Sequence, residues 1–257
     1  MARRTRIETP GYHHIYNRGV ERRFVYEEDA DKEKFLELLC EVSDHYGFTV
    51  HAYVLMDNHY HLLIENEKEN LSAGMRQINA LYAQYFNKKY ERVGHLWQDR
   101  YKSWCVLDET YLFTLFKYFE ANPIEAGLCE RAGEYTWTLL SDMKRGEVHP
   151  CMRESFVFTW YDTPTLLENL DMSLDDEEKE RLEAIKKESN RLKRASVMHT
   201  STVDLKQFFK GADTRAKRNE KIVEAYRLGC TQSEMAKVLG LSVSTVSRIV
   251  KNAKIKP

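Results

Sequence analysis

At 257 residues, 42% hydrophobic and 31% charged, the chain is long enough to bury one sizeable core and leave residues for a smaller domain. The formal net charge of −1 hides an asymmetry: residues 186–257 hold 17 Lys and Arg against 6 Asp and Glu, which leaves 22 against 34 in the rest. No stretch approaches the roughly 18 apolar residues of a membrane span, and Met1-Ala-Arg-Arg-Thr-Arg has no apolar leader core, so a soluble, cytoplasmic chain is the default expectation.

A basic appendage on an acidic body points to nucleic-acid contact by the tail, because Lys and Arg gain affinity by releasing phosphate counterions. A merely solvated tail fits the charge equally. Cys40, Cys105, Cys129, Cys151 and Cys230 are scattered without a Cys-x-x-Cys pair, and an odd number does not suit a disulfide framework. The expectation is therefore a reducing compartment with free thiols.

In chain order, Gly11-Tyr-His-His-Ile-Tyr-Asn reads as a short strand, and Asp29 to Tyr46 carries Phe35, Leu38, Leu39 and Val42 at helical spacing. The β-rich runs from Phe48 to Met56 and from His59 to Glu65 are separated by Asp57-Asn58, residues that tolerate positive φ, which predicts a two-residue hairpin. Leu71 to Lys89 is helical again, with Met75, Ile78, Leu81, Tyr82 and Tyr85 in phase, and Arg100 to Leu107 returns to strand character. Asp108 is a good N-cap for a helix through Ala121 that is expected to stop near Pro123. The order is βαββαβ plus a helix, a ferredoxin-like arrangement in the α+β class.

Residues 144–215 form a less legible helical connector, with a charged helix from Ser173 to Arg194. From 216 to 257 the pattern is an all-α helix-turn-helix. Ile222, Val223, Tyr226 and Leu228 lie on its first helix, Thr231-Gln-Ser-Glu234 makes a capping box, and Met235, Ala236, Val238 and Leu239 fill the second. A third helix buries Val246, Ile249 and Val250 and turns Ser244, Thr245 and Arg248 outward, the arrangement of a DNA-reading helix, although a protein-binding trihelix shares the pattern.

Two constellations carry chemistry. His59 and His61 are two apart on one strand, so both imidazoles project from the same face and can converge on one ion. Taken alone, such a pair reads as well as two strand histidines with ordinary partners. Tyr118 and Asn122 are four apart on a helix whose core stripe is Leu112, Phe116 and Phe119, so Tyr118 sits off the stripe with Asn122 beside it. A boundary packing tyrosine and a helix-end asparagine before proline fit that spacing equally.

Four blocks in order, His51-Ala-Tyr-Val-Leu-Met-Asp-Asn-His-Tyr-His-Leu-Leu, Tyr85-Phe-Asn-Lys-Lys, Gly94-His-Leu-Trp-Gln-Asp-Arg-Tyr-Lys-Ser103 and Tyr118-Phe-Glu-Ala-Asn-Pro-Ile-Glu-Ala-Gly127, resemble the REP-associated tyrosine transposases of the single-tyrosine HUH group. The resemblance runs from Met1 to about Ser141 and places a catalytic domain at 1–143. It implies that His59 and His61 hold the metal, that Tyr118 is the nucleophile, and that Asn122 occupies the place of a third ligand, with Mg2+ or Mn2+ as the ion. Two departures stand out: Tyr60 between the histidines, which strand alternation sends to the opposite face, and Asp57 where related sequences usually have Pro, a change expected to alter the turn and little else.

The implied activity is cutting and rejoining of single-stranded or hairpin DNA through a 5′-phosphotyrosine, with duplex DNA as a partner of the tail. Arg4, Arg22, Arg23, Arg100 and Lys102, interleaved with aromatic residues, are the expected contacts of the catalytic domain, and Ser244, Thr245 and Arg248 those of the tail. A non-enzymatic DNA-binding regulator built from the same domains is the alternative, and a replication-initiator-like nickase is a narrower one. The sequence sets neither the DNA site nor the oligomeric state.

Overall fold

A computed structural model of the chain describes residues 10–252 except 107, 161–163, 165, 167–169, 171–174, 200–204, 213, 228, 229 and 231. Its contacts divide into two compact units, one of residues 6–190 and one formed mainly by 191–257.

The first unit is built on strands β1 (Gly11–Arg18), β2 (Phe48–Met56), β3 (His59–Asn66) and β4 (Lys102–Val106). They form one antiparallel sheet in the order β2-β3-β1-β4. Helices α1 (Asp29–Tyr46) and α2 (Leu71–Lys89) follow β1 and β3, and α3 (Leu112–Glu125) follows β4, so the expected ferredoxin-like order is present. Helix α1 starts on a capping box between Glu28 and Asp31 and ends where Gly47 takes the left-handed conformation (φ 71°) that the chain needs to turn into β2. Both sheet faces are covered, which is why the strands read as nearly continuous buried runs rather than clean alternation. Ile15, Phe35, Leu39, Tyr60, Phe116 and Phe119 are fully enclosed, each aliphatic or phenyl side chain contributing about 1.5–3 kcal/mol relative to exposure.

Several expectations are corrected. The hairpin at Asp57-Asn58 forms, but neither residue has positive φ; among the described non-glycine residues only Glu21, Arg22 and Glu91 do. Tertiary bonds hold the turn instead: the Asp57 carbonyl accepts from Val25 N (2.8 Å) and Tyr26 N (3.1 Å), and the Asn58 carbonyl accepts from Gly19 N (2.9 Å). The Asp57 carboxylate also pairs with the nearly buried Lys32 ammonium at 2.8 Å, so Asp at this position does more than alter the turn. Helix α3 does not stop before Pro123 but runs through it to Glu125. Proline there costs one intrahelical hydrogen bond in the last turn, where the ladder is about to end. Asp108 caps a 3-10 turn (Glu109–Tyr111) ahead of α3, accepting from Thr110 N at 3.0 Å.

The thiol expectation also changes, because Cys40 on α1 and Cys151 in the 3-10 turn Pro150–Met152 are disulfide-bonded. They are 111 residues apart, a proximity that no local spacing signals. Cys105, Cys129 and Cys230 are not disulfide-bonded, and the inference of a reducing compartment from cysteine usage loses its ground. Among the described residues no helix is long and apolar enough to cross a membrane.

The stretch read as a connector contributes to the first unit's core. Helices α4 (Leu139–Arg145) and α5 (Phe156–Trp160) lead to the long helix α6 (Asp176–His199), and from 144 onward Met152, Phe156, Val157, Leu166, Leu170, Leu182 and Ile185 join the buried cluster. Three bonds dock α6: Lys117 Nζ reaches both carboxylate oxygens of Glu178 (2.8 and 3.0 Å), and Cys105 N on β4 donates to the buried Ser189 hydroxyl at 3.0 Å.

The second unit has a separate core of Phe209, Ile222, Ala225, Cys230, Met235, Ala236, Val246 and Val250. Its helices are α7 (Leu205–Phe208), α8 (Arg215–Arg227), α9 (Gln232–Leu239) and α10 (Val243–Asn252). Gly240 closes α9 in the left-handed region (φ 63°), and Ser242 opens α10 by accepting from Thr245 N at 3.2 Å. Thr231 of the expected capping box lies outside the described residues. Val238, expected inside, is 36% exposed, and Ile249 only partly buried.

Candidate active site

Strand alternation puts His59 and His61 on the sheet face that meets α3, and Tyr60 on the other. There the Tyr60 hydroxyl donates to Asn79 Oδ1 at 3.0 Å, joined by Asn17 Nδ2 at the same distance, so the phenol between the histidines is sealed into the α2 side. On the α3 side the two imidazole rings lie 5.3 Å apart. Tyr16, directly across from His61 on β1, packs on both, at 5.6 Å from His59 and 4.9 Å from His61.

Each ring is held by its Nδ1. His59 Nδ1 lies 2.6 Å from Asn58 Oδ1, and the amide is oriented by its other end, Nδ2, which donates to the Arg22 carbonyl at 3.1 Å. His61 Nδ1 lies 2.8 Å from Nε2 of His14, a buried neighbour on β1. Burial depresses the basicity of all three rings, to about 4 for His59 and about 3 for His14, and well below the usual imidazole value for His61. Nearby basic groups add to it: Arg18 for His59, Lys186 for His14, and His14, His59 and Lys186 for His61. Neutral imidazole is the form a metal ion takes.

Helix α3 buries Leu112, Phe116 and Phe119 as its core stripe, and thereby turns Tyr118 to the histidines. The half-buried Tyr118 ring is 5.5 Å from that of His61 and 6.0 Å from that of His14. Burial raises the Tyr118 phenol above its ordinary value, with Asn122 pulling the other way through a hydrogen bond. The Asn122 side chain is folded back on its own helix, Nδ2 donating to the Tyr118 carbonyl at 2.6 Å. The structure thus brings His59, His61 and Tyr118 together and attaches Asn122 to Tyr118. Among the described residues no group of three His, Cys, Asp or Glu side chains is placed to hold a metal ion. An ion taken by the histidine pair would complete its shell with other oxygen donors.

Two participants escaped the sequence reading. His14 looked like one of several polar residues in a short strand, and only its pairing beside β3 brings it to His61. Lys186 sat in a charged stretch with no signal to single it out. The docking of α6 places its ammonium 5.9 Å from the Tyr118 ring centre while Glu183 binds it at 2.6 Å.

Beside the histidines, Tyr16, Asn17, Arg18, Gln98, Asp99, Arg100 and Lys102 line a shallow cleft. Arg100 and Lys102 are exposed there, and Lys102 Nζ lies 5.7 Å over the Tyr16 ring. Arg22 and Arg23 are exposed in the loop that Asn58 ties to His59, and Arg22 holds a left-handed backbone (φ 59°). Arg4 lies outside the described residues. In the second unit, Thr245 and Arg248 of α10 line a groove with Arg215, Arg218, Asn219 and Ile249, and Ser244 is on the same helix with its side chain outside the described set.

Residues 9–122 match the family described as "Transposase IS200 like", and residues 223–257 match a helix-turn-helix family. The chain carries an IS200-like transposase domain. The match spans β1 to α3 and contains His14, His59, His61, Tyr118 and Asn122, so the cluster belongs to the transposase domain. No curated protein matches the chain. Among solved structures it is similar to a REP-associated tyrosine transposase bound to a REP hairpin, at 16% identity and a TM-score of 0.46 over 59% of this chain and 88% of that one. It is also similar to a tRNA(His) guanylyltransferase from Saccharomyces cerevisiae, at 9% identity and a TM-score of 0.36 over 70% of this chain and 79% of that one. The assignment rests on the family matches. They give residues 9–122 the likeness of an IS200-like transposase domain and residues 223–257 that of a helix-turn-helix.

Proposed function

We propose that this transposase is a single-tyrosine HUH strand transferase that cuts and rejoins single-stranded hairpin DNA through a phosphotyrosine. The observation that carries the reading is the placement of the Tyr118 ring 5.5 Å from the ring of His61, on the face shared with His59. Of the chain's 15 tyrosines, Tyr118 combines this approach with a helical neighbour, Asn122, whose amide donates to its backbone carbonyl.

The donor set fits a divalent ion. Both histidines have Nδ1 engaged, which leaves both Nε2 atoms to coordinate, and the Asn122 amide oxygen would supply a third donor. Two imidazoles and an amide oxygen suit Mn2+ as well as Mg2+. Such an ion would polarise a non-bridging oxygen of the scissile phosphate.

The protein's own groups carry the rest. Tyr118 Oη attacks the phosphorus; the new O–P bond forms as the bond to the 3′ oxygen breaks, and the proton lost by the phenol is balanced by the one gained at the 3′-hydroxyl. The 5′-phosphotyrosine ester keeps the energy of the broken bond, so attack by another 3′-hydroxyl rejoins the strand without an external energy source. Lys186 stands where a cation favours both a phenolate and the incoming phosphate. Arg100 and Lys102 beside Tyr16 suit a single strand, phosphates on cations and bases on rings, with Arg4, Arg22 and Arg23 as further contacts. Ser244, Thr245 and Arg248 on α10 take the duplex.

The test is incubation of the protein with single-stranded hairpin DNA and Mn2+ or Mg2+, followed by denaturing electrophoresis. A denaturation-resistant adduct whose DNA-linked peptide contains Tyr118 is expected. Absence of an adduct at any tyrosine with either metal returns the chain to the reading of a non-enzymatic DNA-binding regulator.

A further inference from the structure

We infer that His14 is a positioning residue that fixes the tautomer and orientation of His61, holding its proton on Nδ1 so that Nε2 presents a lone pair to the ion. The inference rests on the metal-binding role given to His61 above, but its primary observable does not.

His14 Nε2 and His61 Nδ1 are 2.8 Å apart, a hydrogen-bonding distance that one shared proton satisfies. If His14 donated it, the proton of His61 would stand on Nε2 and no lone pair would face the cleft. If His61 donates it, Nε2 is left bare. Only the second arrangement makes His61 a ligand, and it requires His14 to carry its proton on Nδ1. The surroundings hold the pair dry and still. His14 is 2% exposed and walled by Trp104 and Phe119 at 5.1 Å and Tyr118 at 6.0 Å, and His61 is 5% exposed. Register explains the choice of residue: Tyr16 is the residue directly across from His61, and His14 is its same-face neighbour two positions back on β1. His59 is served in parallel by Asn58, whose oxygen can only accept and therefore dictates the Nδ1–H form there. His14 performs for the inner ring what Asn58 does for the outer one.

Long-range nitrogen-15 correlation spectra of the metal-free full chain report the tautomer directly. His61 is expected as Nδ1–H; an Nε2–H form in the wild-type protein overturns the inference without any variant. His14→Leu removes the acceptor, and in it His61 should drift towards Nε2–H and Mn2+ affinity by titration calorimetry should fall about 10- to 100-fold. His14→Gln, whose amide oxygen reaches the same place, should restore most of both. An unchanged His61 tautomer and Mn2+ affinity in His14→Leu overturns the inference, as does failure of His14→Gln to recover what His14→Leu loses. If His14→Leu does not fold, the wild-type and His14→Gln tautomers decide. Mn2+ binding unaffected by His59→Ala or His61→Ala would sink the metal-site reading instead, a result distinct from any tautomer outcome.

Discussion

Removing a single oxygen tests the residue proposed as the nucleophile. Tyr118→Phe keeps the ring that packs beside His61 and Phe119, so DNA and metal binding should persist while the covalent adduct disappears. Mapping the DNA-linked peptide by mass spectrometry checks it, and a cross-link at Tyr85 or Tyr101 would falsify the choice. Tyr85 bonds Asp31 and Tyr101 pairs with Ser72, both in structural roles. His59→Ala and His61→Ala should each abolish cleavage; wild-type cutting in either, with metal present, would place the site elsewhere. The half-exposed His59 should be cheaper to lose than the buried His61, whose truncation opens a cavity under α3. Acid should act through the same rings. Unfolded, they take up protons near pH 6.5, whereas folded His59 holds off until about 4 and His14 until about 3. The folded state therefore has its full advantage above pH 6.5 and loses it as pH falls towards 4. Thermal unfolding of metal-free protein should show that decline, and His59→Ala should flatten part of it; parallel curves for the two proteins would refute the burial argument.

At the scale of elements, the docking of α6 sets up one side of the site. Ser189 is fully enclosed and accepts from Cys105 N on the edge strand β4, so Ser189→Ala strands a buried backbone donor. A loss of about 1–3 kcal/mol in urea unfolding is expected, together with a slower adduct-forming rate as Lys186 is released from Tyr118. Unchanged stability would mean that α6 is held without that bond. The helix was legible as a helix but not as part of the core. Leu182 and Ile185 are sparse apolar positions in a run of charges, and what they pack on lies far away in sequence. Conversely, α1, α2 and the hairpin were legible nearly to the residue, because their periodicity, caps and spacing are local. Pro123 misled at the end of α3, since a proline in a last turn gives up only one bond.

For the whole molecule, the two cores are separate lists of residues, and a chain cut after Asn190 retains the first intact. That fragment should still form the adduct on single-stranded hairpin DNA while losing affinity for duplex DNA, and the slope of log affinity against log salt should become shallower. Equal duplex affinity and slope in the two proteins would assign the basic tail to protein contacts. Residues 1–143 and 216–257 remain the proposed functional divisions, with the stretch between them shared by the first unit's core and the approach to the tail.

The sequence by itself determined the strand and helix order, the same-face placement of His59 and His61, the off-stripe position of Tyr118 and the helix-turn-helix, since each follows from a period of two or of about 3.6. Tertiary structure alone decided that His14 meets His61, that Lys186 stands over Tyr118, that Cys40 bonds Cys151, and that Asp57 pairs with Lys32. These pairs are separated by 47, 68, 111 and 25 residues respectively, and at such distances no local period constrains which side chains meet. Sheet register and helix docking make that choice, because a strand shifted by one residue would turn every one of its side chains to the opposite face.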